Sequence, residues 1–260
     1  MTDLVLVDVA DRVATITLNR PEARNALNGD LLEGLTQAVA AADADDAIDV
    51  LVLTGADPAF CAGLDLKAIG AGDPRLAGTA PSADTPVPER GPFGSVGKPL
   101  IGAINGFAIT GGFEIALACD FLVASESARF ADTHARVGLQ PWWGLTVLLP
   151  QAIGYRRARE MSSTGNFIDA QTALDWGLVN HVVPHDELLP FAHKLAADIV
   201  SGNQPAIQRI LKTYAEGELL SGQDAWLREG EVAESWMREL QASDLEANRQ
   251  AVIDRGRSQA

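Results

Sequence analysis

The sequence predicts an α/β core with parallel strand pairing, followed by a helical appendage. Three observations carry that expectation. Strand-like apolar runs alternate with helical patterns as far as Val183, which is the signature of βαβ units. Residues 48–54 are apolar almost throughout, as a strand buried on both faces requires. Beyond Asp186 no strand pattern remains.

Taken in order, residues 4–9 and 13–18 alternate apolar and polar side chains around Ala10-Asp11-Arg12, which predicts a β-hairpin. Asn19-Arg20-Pro21-Glu22 ends the second strand, because proline cannot continue a ladder. Asn28 is placed to cap a helix over 29–43 that carries Leu31, Leu32, Leu35, Ala38, Val39 and Ala42 on one face. The buried strand over 48–54 comes next, then a turn at Gly55-Ala56-Asp57-Pro58. Residues 70–97 are rich in Gly, Pro, Ala, Ser and Asp with hardly an apolar anchor. They predict a mobile loop or a lid. Later helices are expected over 145–151, 155–162 and 170–176, the last capped by Asp169, with a short strand over 179–183. Four charged helical segments, about 187–200, 204–215, 222–240 and 244–255, complete the chain.

Composition narrows the function. A chain of 260 residues with 47% apolar and 21% charged residues buries a sizeable core. Its net charge of −15 argues against nucleic acid or an anionic membrane surface as a partner. No apolar run reaches membrane-spanning length, and the first residues carry acids where a signal peptide needs bases, so a cytoplasmic protein is expected. Cys61 and Cys119 have neither C-x-x-C spacing nor a disulfide framework. Cys119 reads as a small buried hydrophobe, and Cys61, beside a glycine turn, has no evident base to make it a nucleophile. His134, His181, His185 and His193 show no metal-ligand spacing, so no metal is expected.

The chain is organised around residues 99–125, PLIGAINGFAITGGFEIALACDFLVAS. An apolar strand over 100–104 and a turn at Asn105-Gly106 lead to the pair Gly111-Gly112, a short apolar helix and a strand over 121–124. One carboxylate, Glu114, stands in the first turn of that helix with only Thr110 as a polar neighbour in sequence. A buried carboxylate needs a partner or takes an unusual pKa. Glycines let backbone approach a ligand closely, and a helix N-terminus offers N–H groups to a developing negative oxygen. The stretch lacks both the G-x-x-x-x-G-K-[ST] and the G-x-G-x-x-G patterns, so phosphate cradling is a poor reading.

Separate motifs then agree. N-R-P-x-x-R-N-A-L spans 19–27, F-x-A-G-x-D-L spans 60–66 and K-P-x-I-x-A-I-N-G spans 98–106. G-G-x-E-I-A-L-A-C-D follows over 111–120, and T-G-x-x-I-x-A-x-x-A-x-x-x-G-L-V over 164–179. In this order and spacing the chain resembles the enoyl-CoA hydratase/isomerase, or crotonase, family, closely from residue 4 to about 185 and loosely beyond. The resemblance implies a ClpP-like spiral of ββα turns with two roughly perpendicular sheets. It implies a core with the acyl-CoA site over 1–185 and a helical region over 186–260 for oligomerisation and closure of the CoA site. It also implies a homo-trimer or a dimer of trimers. The partner implied is an acyl-CoA substrate, with no separate cofactor, coenzyme A being part of that substrate. Its thioester carbonyl would sit between the backbone N–H groups of Ala62 and Gly111. The CoA would lie along Ala23, Arg24, Ala62, Gly63, Leu64, Asp65 and Lys67, with Arg24, Lys67 and Arg75 as candidates for its phosphates.

One departure matters. Hydratases of the family place two glutamates on either side of a water, and the second belongs to a segment F-x-x-P-E-x-x-x-G. Here Glu114 matches the first, but the segment over 130–138 reads FADTHARVG, so His134 stands at the second position and Thr133 replaces the proline. Imidazole can give and take protons near neutrality, so His134 is a candidate replacement acid, and a carboxylate opposite would raise its pKa. Asp132 is a third candidate, expected on the opposite side if the stretch is extended. Trp142 and Trp143 replace a small glycine-rich turn and suggest a reshaped acyl pocket. The leading expectation is a hydratase of 2-enoyl-CoA thioesters with Glu114 and His134 as acid and base. The alternatives are isomerisation, decarboxylation or C–C cleavage through the same enolate, or acyl-CoA binding without catalysis.

Overall fold

The computed structural model describes residues 4–76, 91–218 and 220–239. Residues 77–90 of the loop expected over 70–97 and the helix expected over 244–255 lie outside the described residues. The chain divides into two compact units, the first ending at Ser201 and the second beginning at Gly202.

In the first unit the hairpin forms as expected. β1 (Val5–Ala10) and β2 (Val13–Leu18) pair antiparallel, and α1 (Gly29–Ala44) follows with Asn28 accepting the Leu31 N–H at 2.9 Å. β3 (Val50–Gly55) is buried along its whole length. After the short helix α2 (Leu66–Gly70), β4 (Leu100–Ile104) and β5 (Phe107–Ile109) lead into α3 (Gly111–Ala118). β6 (Phe121–Ser125), β7 (Arg129–Ala131), α4 (His134–Val137), α5 (Leu145–Ile153) and α6 (Tyr155–Thr164) come next. β8 (Ile168–Asp169), α7 (Ala170–Trp176), β9 (His181–Val183) and α8 (Leu188–Val200) complete the unit.

The strands form two sheets. The larger runs β1-β2-β3-β4-β6-β9 and is parallel from β2 onward. Alternation of side chains then decides the core. Leu51 and Leu53 of β3 face the layer that holds α1 and α3, whereas Val50 and Val52 face Leu188, Ala192 and Ala196 of α8. The sheet is therefore covered on both faces, which explains its uninterrupted apolar strands. α8 supplies the second cover and belongs to the core. The expected boundary after residue 185 moves to 201/202 for that reason. In the second unit α9 (Gln204–Gly217), capped by Asn203, and α10 (Gly222–Glu239) form a helical pair.

The smaller sheet, β5-β7-β8, positions the site, and β5 was not expected from the sequence. β5 and β7 are only three residues each and pair in parallel, Ala108 opposite Phe130. Parallel neighbours end at the same edge, so the segments that leave them, Thr110 into α3 and Asp132 into α4, emerge side by side. Near that edge α3 packs tightly. A Cβ on Gly112 would lie 2.1 Å from the Cys61 carbonyl oxygen, a backbone atom that cannot step aside. Gly112→Ala is expected to destabilise the fold by about 1–3 kcal/mol, as overpacking does. Urea unfolding monitored by tryptophan fluorescence checks this, and an unchanged midpoint refutes it.

Candidate active site

Glu114 and His134 face a cavity of about 500 Å³ lined also by Leu64, Leu139, Trp142 and Trp143. Glu114 is 2% exposed and His134 5%. A carboxylate so buried needs donors, and they come from the segment that the sequence marked as reshaping the acyl pocket. Glu114 Oε1 accepts the backbone N–H of Trp142 at 3.0 Å and of Trp143 at 2.7 Å. Oε2 is left facing His134 Nε2 at 3.4 Å.

The other side of the imidazole is also held. His134 Nδ1 lies 2.7 Å from Asp132 Oδ1, which accepts the His134 backbone N–H as well, at 3.1 Å. The expectation that Asp132 would point away from His134 is overturned. β7 stops at Ala131, the chain turns, and Asp132 accepts the His134 backbone N–H where α4 begins instead of continuing a strand. The hydroxyls of Thr110 and Thr133 meet at 2.5 Å and tie the two catalytic segments together. Thr110 has φ +55°, uncommon for a β-branched residue, at the turn that aims the start of α3.

Electrostatics follow from this geometry. Burial opposes a charged imidazole, but hydrogen bonds and charge from Asp132 and Glu114 outweigh it and raise His134 to about 9. Burial likewise works against an ionised Asp132. Its hydrogen bonds with His134 and Ser162 prevail and hold it below the usual carboxylate range. The imidazole, its pKa raised, stands between the Glu114 and Asp132 side chains.

A second group of backbone donors lies where α3 opens. The Gly111 N–H opens α3 and has no acceptor within the helix. The Ala62 N–H, expected as its companion, is committed elsewhere: it donates to the Arg24 carbonyl at 3.0 Å. Leu64 takes its place geometrically. Gly63 at φ +92° turns the chain so that Leu64 N lies 3.6 Å from where a Cβ on Gly111 would stand. Among the described residues no carbonyl accepts the Leu64 N–H. The signal available in the sequence was Gly63, since a glycine at positive φ redirects the N–H of the residue after it.

The other expected residues divide. Residues 24–27 run beside 62–65, joined by Leu27 N–H to Gly63 O at 2.8 Å and Asp65 N–H to Leu27 O at 2.9 Å. The expected CoA segments are therefore neighbours. Within them Arg24 and Lys67 are exposed, whereas Asp65 caps α2 and pairs with Arg20 at 2.7 Å. Arg75, expected to be open to a phosphate, is paired with Asp30 at 2.5 Å and Asp73 at 3.0 Å. Those pairs pin residues 74–76 as a 3-10 turn against α1. Cys61 is fully buried, donates to the Asn25 carbonyl and has its thiol pushed up to about 12, so it is no nucleophile at neutral pH.

A ββα core with a buried carboxylate at the opening of a glycine-led helix is the crotonase fold. Solved structures bear this out: an enoyl-CoA hydratase from Mycobacterium tuberculosis H37Rv aligns with TM-score 0.75 and 49% identity over 89% of this chain and 98% of that one. An enoyl-CoA hydratase from Bacillus anthracis aligns with TM-score 0.82 and 31% identity over 97% of this chain and 96% of that one. In sequence the chain is 38% identical to "Probable enoyl-CoA hydratase 1, peroxisomal" of Arabidopsis thaliana, over 94% of this chain and 90% of the relative. Residues 8–236 match the family model described as enoyl-CoA hydratase/isomerase. The chain belongs to the enoyl-CoA hydratase/isomerase family.

The raised pKa of His134 has a consequence for stability. Its folded value of about 9 exceeds the ordinary 6.5, so the contribution is full below about pH 6.5 and is lost as pH rises toward 9. Urea midpoints of the wild type should fall across that window more steeply than those of His134→Gln. Parallel declines in the two proteins would remove the imidazolium from the site.

Proposed function

We propose that the protein is an enoyl-CoA hydratase that adds water across the double bond of a 2-enoyl-CoA thioester. The observation that carries this reading is the Glu114–His134 pair facing a cavity that Leu64 also lines, with the Gly111 N–H at the opening of the helix that carries Glu114. The thioester oxygen gains negative charge as water attacks Cβ, and preorganised N–H donors stabilise such an oxygen by about 3–4 kcal/mol each. Glu114, anchored through Oε1, uses Oε2 as the base that takes a proton from the attacking water. A water at hydrogen-bond distance, about 2.8 Å from both Oε2 and Nε2, sits at the apex of a triangle whose 3.4 Å base is the Glu114–His134 contact. His134 donates its Nε2 proton to Cα on the same face, giving syn addition.

The CoA is assigned to the paired segments that include Ala23, Arg24, Gly63, Leu64 and Lys67, and the acyl chain to the cavity beside Trp142 and Trp143. The relatives' names support hydration over the other reactions of a thioester enolate. Tyr214, Trp226 and Leu227 of the C-terminal helices are each at least 60% exposed. That apolar surface favours self-association, and a trimer or a dimer of trimers is expected by analytical ultracentrifugation.

Crotonyl-CoA, followed by loss of its enoyl absorbance and by a mass gain of one water, is the direct test. Glu114→Gln should lower kcat at least about 10²-fold with little change in KM. His134→Ala should lose a similar factor, and His134→Glu should restore part of it by recreating a carboxyl pair. Full activity in Glu114→Gln defeats the mechanism. The donor wall has its own test in Gly111→Val. A side chain there meets the Trp143 ring at 3.3 Å and no backbone atom closer than 3.6 Å, so the fold should survive while turnover falls to background. A folded Gly111→Val enzyme with near-normal turnover misplaces the oxyanion site.

A further inference from the structure

The geometry points to Asp132 as a positioning residue that keeps His134 a charged proton donor, so that the Asp132–His134 pair acts as one neutral acid opposite Glu114. This rests on the hydratase reading above and adds a residue and a proton path to it. A protonated glutamic acid carries one transferable proton and no net charge. An imidazolium bound to a carboxylate does the same. A lone imidazolium would instead change the net charge of the buried site by one unit relative to that carboxylic acid.

Asp132 meets the demands of that role. It is 2% exposed, and its Oδ1 takes both the Nδ1 proton at 2.7 Å and the backbone N–H of His134 at 3.1 Å. Holding the proton on Nδ1 fixes the ring orientation and leaves Nε2 to face the cavity and Glu114. The charged groups facing the imidazole are Glu114 from α3 and Asp132 from the end of β7. α6 contributes the Ser162 hydroxyl, which bonds Asp132. The raised pKa of about 9 is consistent with a ring charged throughout the physiological range.

The arrangement also resets itself. In one turnover, Glu114 Oε2 takes one proton of water as the C–O bond forms at Cβ, and His134 Nε2 gives its proton to Cα as the enolate collapses. That leaves a protonated Glu114 and a neutral His134 whose Nδ1 keeps its proton in the hydrogen bond to Asp132. With Oε2 and Nε2 3.4 Å apart, the proton passes from Glu114 to His134 directly. The starting charges return, and the sum is one water added to one double bond.

Asp132→Asn tests this, because the amide keeps the acceptor oxygen and the shape but removes the charge. With histidines labelled at Cε1 and the resonance assigned by His134→Ala, His134 of the wild type should titrate near pH 9. In Asp132→Asn the titration should fall by at least about one pH unit. With crotonyl-CoA, kcat at pH 8 should drop about 10-fold or more, KM should stay within about threefold, and the alkaline limb of kcat should move down with the titration. Asp132→Glu, with its charge retained, should recover part of both. Titration and pH profile unchanged in Asp132→Asn overturn the proposal. So does a shifted titration with unchanged kcat, since Asp132 then charges His134 without serving turnover. Should Asp132→Asn fail to fold, the wild type decides: a neutral His134 at pH 7.5 refutes the assignment. Absence of any hydration by the wild type defeats the hydratase reading alone, and the titration still judges Asp132.

Discussion

The burial of the Glu114 carboxylate is the constraint on which the rest of the site depends. An ionised carboxylate without donors is among the most costly groups to place in an apolar layer. α3 cannot satisfy Glu114 from within, because every neighbour on the helix is apolar. The N–H groups of Trp142 and Trp143 must therefore be brought to Oε1, which fixes the path of residues 142 and 143 as they approach α5. The tryptophans consequently wall the cavity where their backbone is already needed. Their bulk and their hydrogen bonds are two consequences of one requirement. The same constraint dictates what stands at Oε2, where a cation is welcome and a second ionised carboxylate is not, and an imidazolium held by Asp132 meets it.

The short β5-β7 pair converts this local chemistry into a placed site. Glu114 and His134 each sit just past the end of one of two adjacent parallel strands, the position at which ligand sites gather in parallel sheets. Three residues per strand are little to rely on, and additional ties reinforce them. Thr110 and Thr133 join hydroxyls across the two exits, Thr110 N–H donates to Ala131 O, and Cys61 bridges to Ala108 on the other side. That last contact carries the Ala62–Leu64 segment to α3, where the packed Gly112 leaves no room for a side chain. The donor wall and the acid–base wall thus share one small sheet as their common support.

What could be read from the sequence divides along the same line. Elements with long periodic patterns were legible: the first hairpin, α1 with its Asn28 cap, the buried β3 and β4, α7 with its Asp169 cap. Glu114 was legible because a single acid in an apolar helix is conspicuous. β5 was not, since three residues after an Asn-Gly turn carry no periodicity. Asp132 was set opposite His134 on the condition that the stretch is extended, whereas β7 ends at Ala131 and the chain turns into α4. Ala62 was preferred to Leu64 because the commitment of its N–H to the Arg24 carbonyl is a tertiary contact, although Gly63 marked the turn between them. The boundary after residue 185 failed similarly. α8 follows the last strand and was grouped with the charged helices after it, but its Leu188, Ala192 and Ala196 stripe covers one face of the main sheet.

Several residues of the motifs that carried the family resemblance turn out to be structural, and this explains how the acid could change while the fold did not. Asn25 is fully buried, with its amide nitrogen donating to the carbonyls of Ala56 and Ala59 and its oxygen accepting from Arg20 N–H. Lys98 donates to the carbonyls of Ala42 and Asp45 at the end of α1, supplying the positive charge that a helix C-terminus favours. Asn105 accepts the Gly55 N–H and donates to Asp57. These groups hold the turns between strands, and none lines the catalytic cavity. The segment from 132 to 134 carries no such duty toward the sheet beyond the Thr110–Thr133 tie. What a carboxylic acid would bring to that position is one transferable proton and no net charge. A histidine with an adjoining aspartate two residues earlier conserves both, at the cost of no other contact in the core.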